Sequence, residues 1–187
     1  EAIAALRALF AERPASFSGR HFSFRDVAIE PAPVQPGGPP ILVGGRSEAA
    51  RRRAGRLGDG WLPYLISPRS LAAGIEEVRA HASEAGRDPD ELRHGVVAFA
   101  LVDGDGERAR SAAREHLSRR YGMEFQPHHV ERLCVVGAPD ECAARIREYA
   151  DAGAAFVSLN PAVDDQSFLT QVERLREVAR PALGAAT

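Results

Sequence analysis

Apolar residues return at helical spacing from the start of the chain. Ile3, Leu6, Leu9 and Phe10 share one face of a helix predicted over residues 1–12. The pattern then breaks. In SFSGRHFSFRDVAIEP, Phe17, Phe22 and Phe24 are spaced among Ser, Gly and Arg, which predicts an irregular hairpin turning at Gly19. Residues 31–40, PAPVQPGGPP, hold five prolines and two glycines. Such a run excludes helix and central strand, because proline lacks the amide donor that both need. It reads as a surface connector leading into a strand.

Beyond residue 40 one unit recurs: a short apolar run, a polar loop, then an amphipathic helix. Ile41-Leu42-Val43 predicts a strand, followed by a helix over 47–57 with a small face of Ala49, Ala50 and Ala54 and a stop at Gly58. Trp61-Leu62-Pro63-Tyr64 ends a second short strand. A helix over 68–85 follows, with Ser67 as N-cap, Pro68 in its first turn, Gly86 at its end and a stripe of Leu71, Ile75, Val78 and Ala82. Gly95–Val102 is a third strand, apolar on both faces. Helices over about 106–121 and 140–152 are joined by an irregular piece around His128–Gly137. Phe156–Leu159 is the fourth strand. A last helix over about 165–179 presents Phe168, Leu169, Val172 and Leu175, and Pro181 ends it. Strands apolar on both faces, alternating with helices, predict an α/β fold with a parallel sheet covered by helices. Four such units over 41–183, prefaced by 1–40, make one domain and half of an eight-stranded (β/α)8 TIM-type barrel. An open doubly wound sheet is the other arrangement the pattern allows.

Composition narrows the partners. A formal net charge of −2 and a pI near 6.3 give no support to a nucleic-acid partner, which usually needs a basic stripe. All 24 basic residues are Arg. Cys134 and Cys142 form neither a disulfide framework nor the paired spacing of a zinc site, so no metal is expected. No apolar run approaches the roughly 20 residues that span a bilayer. A cytoplasmic protein acting on a small molecule is the expectation. The chain opens at Glu1 inside a predicted helix, so a partial chain is expected as well.

The strongest chemical signal is Ile41-Leu42-Val43-Gly44-Gly45-Arg46-Ser47-Glu48, where a buried strand runs into two glycines and a helix begins at once. Glycine lets a ligand approach the main chain closely. The first amides of a helix lack partners and carry the positive end of its dipole, so they suit an anion. Arg46 adds a charge, and Ser47 is a candidate N-cap. The same residues also suit a plain tight turn before a capped helix. They match neither the G-x-G-x-x-G dinucleotide fingerprint nor a P-loop. On a barrel this junction lies at the C-terminal rim of the strands, where active sites are built. Pro63 and Tyr64 fall at the same rim and are candidates for a substrate wall. Trp61 is expected in the core, with Asp59 bonded to turn amides. Adjacent His128 and His129 point apart on any regular element and cannot easily share a metal. No acid and base pair emerges, and the catalytic residues stay unassigned.

These stretches resemble a known family. FSGRHFSF, the run PAPVQPGGPPILVGGRSEAARRRAGRLGDGWLPY, then SPRSLAAGIEEVRAHASEAGRDPDEL and the closing VVGAPDECAARIREYADAGAAFVSLNP are similar to the luciferase-like monooxygenase family, and most to its coenzyme F420-dependent oxidoreductase branch. The resemblance implies a (β/α)8 barrel with an insertion, of which residues 41–160 would carry strands five to eight. It implies a cofactor phosphate held by Gly44, Gly45, Ser47 and Glu48, mostly through main chain, and a substrate wall at Pro63 and Tyr64. The implied cofactor is F420, with FMN the alternative because the two use similar phosphate cradles. The family's ring contacts and its acid and base come largely from strands one to four, which this chain lacks. Two other functions remain open: a non-catalytic half-barrel that pairs with another chain through its open strand edges, and a barrel enzyme for a sugar phosphate. The absence of Lys removes Schiff-base chemistry from the latter.

Overall fold

A computed structural model describes residues 1–182. Helix α1 (Ala2–Ala11) leads into an antiparallel hairpin of β1 (Ala15–Ser18) and β2 (Ser23–Val27). The turn closes where the Gly19 amide donates to the Phe22 carbonyl at 2.9 Å. The Glu1 carboxylate accepts from the amides of Arg20, His21 and Phe22, tying the hairpin back to the start of α1. The proline-rich connector then delivers the chain to β3 (Leu42–Val43).

From there strands and helices alternate as the sequence predicts: α2 (Glu48–Leu57), β4 (Gly60–Trp61), α3 (Pro68–Glu84), β5 (Gly95–Val102) and α4 (Gly106–Tyr121). Next come α5 (Pro127–Leu133), β6 (Val135–Gly137), α6 (Pro139–Asp151), β7 (Phe156–Pro161) and α7 (Phe168–Ala182). Residue 183, the expected end of the last unit, lies outside the described residues. Strands β3 and β4 pair in parallel, and β5 pairs in parallel with β6 and β7 on its two edges. A parallel bridge from Tyr64 to Val97 joins the two sheets. It uses the edge of β5 that β6 uses further along, since the amides of Val97 and Asp103 donate to Pro63 and Gly137 respectively. The main strands therefore run β3, β4, β5, β7 in chain order, with β6 filling the remaining length of one edge.

The core divides at β5. Val96, Ala98, Ala100 and Val102 face α3, α6 and α7 with Trp61, Leu71, Val78, Ile146 and Tyr149. Phe99 and Leu101 point the other way, onto α4 and α5 with Leu117, Phe125 and Val130. Alternation along the strand separates these sets. The close approach of α2 to α3 depends on small residues. A methyl at Gly55 would sit 2.4 Å from the Val78 carbonyl oxygen.

Three elements differ from expectation. The segment around His128–Gly137 is regular: Pro127 starts α5, and β6 forms by pairing with β5. A strand of three residues has too few positions to show a period. In α7 the buried face is Gln171, Leu175, Val178 and Ala182, while Phe168, Leu169 and Val172 are exposed. Polar Gln171 turns inward because the Val102 main chain offers it two hydrogen bonds of 3.0 Å. Pro181 lies within α7 rather than after it. In α2, Ala50 and Ala54 are buried as expected, but Ala49 is exposed and Gly55 takes its place on the packed face.

Candidate functional site

The diglycine turn ends β3 and starts α2 within four residues. Gly45 adopts φ +94°, a left-handed conformation that side-chain-bearing residues rarely take. A methyl there would also come 3.1 Å from the Ala50 methyl. Ser47 is extended, and its hydroxyl oxygen accepts from the Ala50 amide at 3.2 Å, the geometry of an N-cap. The carbonyl of Ser47 takes the Ala50 and Arg51 amides at 3.0 and 3.1 Å. The amides of Arg46, Ser47, Glu48 and Ala49 then find no acceptor among the described residues, and all four residues are exposed. Consecutive free donors at a helix N-terminus are complementary to a phosphate dianion. The Glu48 carboxylate also stands in that first turn. Its negative charge opposes a phosphate, so what Glu48 offers is its amide.

Trp61 fixes this turn from behind. The side chain is fully buried, and its indole N–H donates to the Gly45 carbonyl at 2.7 Å. The sequence places Trp61 in the core, as found, but carries no local sign of this bond. Asp59 holds the strand start: it accepts from the Ile41 amide at 2.7 Å and from the Arg7 guanidinium at 2.8 Å. Burial raises its carboxyl pKa, but Arg7 and the Ile41 amide more than offset this and hold it below its usual value.

Arg46 does not extend freely from the turn. It donates to the Leu65 carbonyl at 2.6 Å and lies over the Tyr64 ring, 5.7 Å from the centroid. Thus Arg46 joins the diglycine turn to the end of β4. Pro63 and Tyr64 stand on opposite sides there. Pro63 is fully buried and its carbonyl bonds the Val97 amide; Tyr64 is 42% exposed. Beyond Arg46 opens a cleft of about 550 Å³, lined by Arg51, Ser67, Ser70, Glu77 and Arg132 among others. Arg132 is more than 60 residues away in sequence, and no local pattern links it to the turn.

Other candidates fall away from this place. The His128 and His129 rings meet edge to face with centroids 4.2 Å apart, and His129 Nδ1 accepts from the Gln126 amide, as a helix cap. Cys134 and Cys142 are buried free thiols, both pushed up to about 12 by burial. Among the described residues no group of His, Cys, Asp and Glu is arranged to hold a metal. No described helix is long and apolar enough to cross a membrane.

Known proteins resemble this chain in sequence and fold. The sequence profile of the luciferase-like monooxygenases matches residues 1–155. The chain is 35% identical over 133 residues to an F420-dependent hydroxymycolic acid dehydrogenase of Mycobacterium tuberculosis, covering 70% of this chain and 35% of that protein. It is 31% identical over 119 residues to an FMNH(2)-dependent dimethylsulfone monooxygenase of Pseudomonas putida, covering 64% and 32%. It thus spans about a third of the length of these two relatives. The fold superposes on an F420-dependent secondary alcohol dehydrogenase, solved with an F420-acetone adduct, at a TM-score of 0.79 and 20% identity, over 98% of this chain and 60% of that one. With more than half its length matched by the family profile, this chain belongs to the luciferase-like monooxygenase family.

Proposed function

We propose that this chain carries the cofactor-phosphate side of an oxidoreductase site, and that the reaction it serves is hydride transfer between an organic substrate and the deazaflavin coenzyme F420. The observation that carries this reading is the row of four acceptor-free amides from Arg46 to Ala49, on a turn that needs glycine at position 45. Gly44, Gly45, Arg46, Ser47 and Glu48 hold the phosphate, chiefly through main chain. Exposed Tyr64 forms the substrate-side wall, and buried Pro63 shapes the strand end beneath it. The cofactor, when bound, supplies the hydride-accepting ring. These residues anchor its phosphate and set the direction in which that ring extends.

The same reading makes β3, β4, β5 and β7 strands five to eight of a (β/α)8 barrel. Their parallel pairing in chain order supports it, as does the 60% share of the solved F420 enzyme that the chain covers. The acid and base would then belong to strands one to four. An FMN-dependent monooxygenase is the second reading, favoured by the 31% identity to the Pseudomonas putida enzyme. A phosphate cradle of this kind serves either cofactor.

Fluorescence titration of the chain with F420 and with FMN separates the two. The expected result is tighter binding of F420, competed by inorganic phosphate. Gly45→Ala should weaken it about tenfold through backbone strain, and Glu48→Gln should leave it equal or slightly stronger. Binding of neither cofactor overturns the proposal.

A further inference from the structure

Two non-glycine residues among those described take a positive φ: Asp26 at 53° and Leu65 at 48°. Asp26 is exposed in the hairpin, and aspartate tolerates the left-handed region. Leucine has no polar group to bond locally, so the crowding of its Cβ against the next carbonyl goes uncompensated. Leu65 is also only 7% exposed, with its side chain packed among Phe99, Leu117 and Phe125. A strained backbone of this kind persists only where its surroundings hold it.

The holds can be named. Before Leu65, the Pro63 carbonyl accepts from the Val97 amide at 2.9 Å. After it, the Ile66 carbonyl accepts from the buried Tyr149 hydroxyl at 2.8 Å. Between these anchors the Leu65 carbonyl accepts from the Arg46 guanidinium at 2.6 Å. That bond orients the Leu65–Ile66 peptide and so fixes the strained state. The same guanidinium lies over the Tyr64 ring. Arg46 also contributes the first of the four acceptor-free amides. One residue thus meets the anion cradle through its main chain and the strained end of β4 through its side chain.

We infer that Arg46 is a latch that couples anion occupancy of the diglycine turn to the position of Tyr64. A phosphate on the free amides offers the guanidinium a charged acceptor. Such hydrogen bonds are roughly twice as strong as those to a neutral carbonyl. Arg46 then leaves the Leu65 carbonyl and the Tyr64 ring. Leu65 relaxes to negative φ, and the release of strain favours the change. The anchors at Pro63 and Ile66 confine the movement to Tyr64 and Leu65. Tyr64, the candidate substrate wall, therefore takes its working position only once the phosphate has bound. The latch rests on the phosphate reading above and adds an order of binding to the same site.

Two NMR measurements test it. The first uses no ligand. A residue at positive φ gives a strong cross-peak between its own amide and α protons. Leu65 should show it in the wild type and lose it in Arg46→Gln, with melting temperature as the control for folding. A cross-peak that persists in Arg46→Gln, or is missing from the wild type, overturns the latch. In the second, inorganic phosphate is titrated at constant ionic strength while the amides of residues 46–49 and the Tyr64 ring are followed. In the wild type both should shift with one midpoint. In Arg46→Gln the amides should still shift, at a midpoint raised about three- to tenfold, and the Tyr64 ring should not respond. Amide shifts without a Tyr64 response in the wild type, or an equal Tyr64 response in Arg46→Gln, overturn the latch and leave the phosphate reading standing. Absence of amide shifts in the wild type removes the phosphate reading, and the coupling with it.

Discussion

Trp61 is the residue on which the candidate site turns. Its indole donates to Gly45 while its ring fills the space between α3 and the sheet, so close to α3 that a methyl at Gly74 would lie 2.4 Å from it. Trp61→Phe keeps an aromatic ring but removes the donor. We expect a stability loss of about 1–2 kcal/mol, measured by urea unfolding. A three- to tenfold rise in the dissociation constant for a phosphate-bearing flavin should accompany it, with binding measured well below the unfolding midpoint. A stability loss with unchanged affinity would reduce Trp61 to a core residue. At this scale the diglycine turn and its capped helix were legible in the sequence, because glycine at a left-handed position and a capping serine each have local causes. The separation of Pro63 from Tyr64 was less so. Both follow β4, and only the packing of the finished fold put one inside and left the other open.

At the scale of elements, the order of strands and helices follows from periodicity, and the exceptions follow from long-range hydrogen bonding. Gln171 is the clearest case. Its side-chain amide takes both the N–H and the C=O of Val102, continuing along β5 the edge that β7 pairs only as far as Ala100. One glutamine thus serves as the next rung of the ladder and pulls α7 about its axis relative to the expected apolar stripe. Replacing it with leucine gives the helix a more apolar face yet leaves the buried Val102 N–H unpaired and its carbonyl with Arg174 alone, at 3.3 Å. Gln171→Leu should therefore destabilise the chain by about 1–3 kcal/mol in urea unfolding. A neutral or stabilising result would mean that burial of the helix, not this pairing, sets its rotation. Helix α5 and β6 escaped the pattern for a related reason. Their signals are seven and three residues long, and the partner of β6 lies some 35 positions earlier.

For the whole molecule, stability should depend on pH through His94. This residue precedes β5, is 4% exposed, and neither ring nitrogen has a hydrogen-bond partner among the described residues. Burial lowers its pKa to about 4, with the Arg79 charge acting in the same direction. The folded value is below the unfolded value near 6.5, so the unfolded chain binds the proton more readily. The folded state therefore keeps its full stability above about pH 6.5 and loses it as pH falls toward 4. Between pH 7 and pH 5 the loss from this group should be about 2 kcal/mol. His94→Phe should remove that increment from the acid limb of a urea-unfolding profile; superimposable profiles for the two proteins would refute the assignment. The chain's own sequence decided its α/β alternation, the hairpin, the caps and the diglycine turn. Each depends on neighbours within about one helical turn or on a local periodicity. Tertiary structure decided the rest: the clamp from Trp61, the inward Gln171, and the edge of β5 shared by Tyr64 and β6. Those contacts join residues 16 to 69 positions apart, and only the closing of strand on strand and helix on sheet brings such residues within bonding distance.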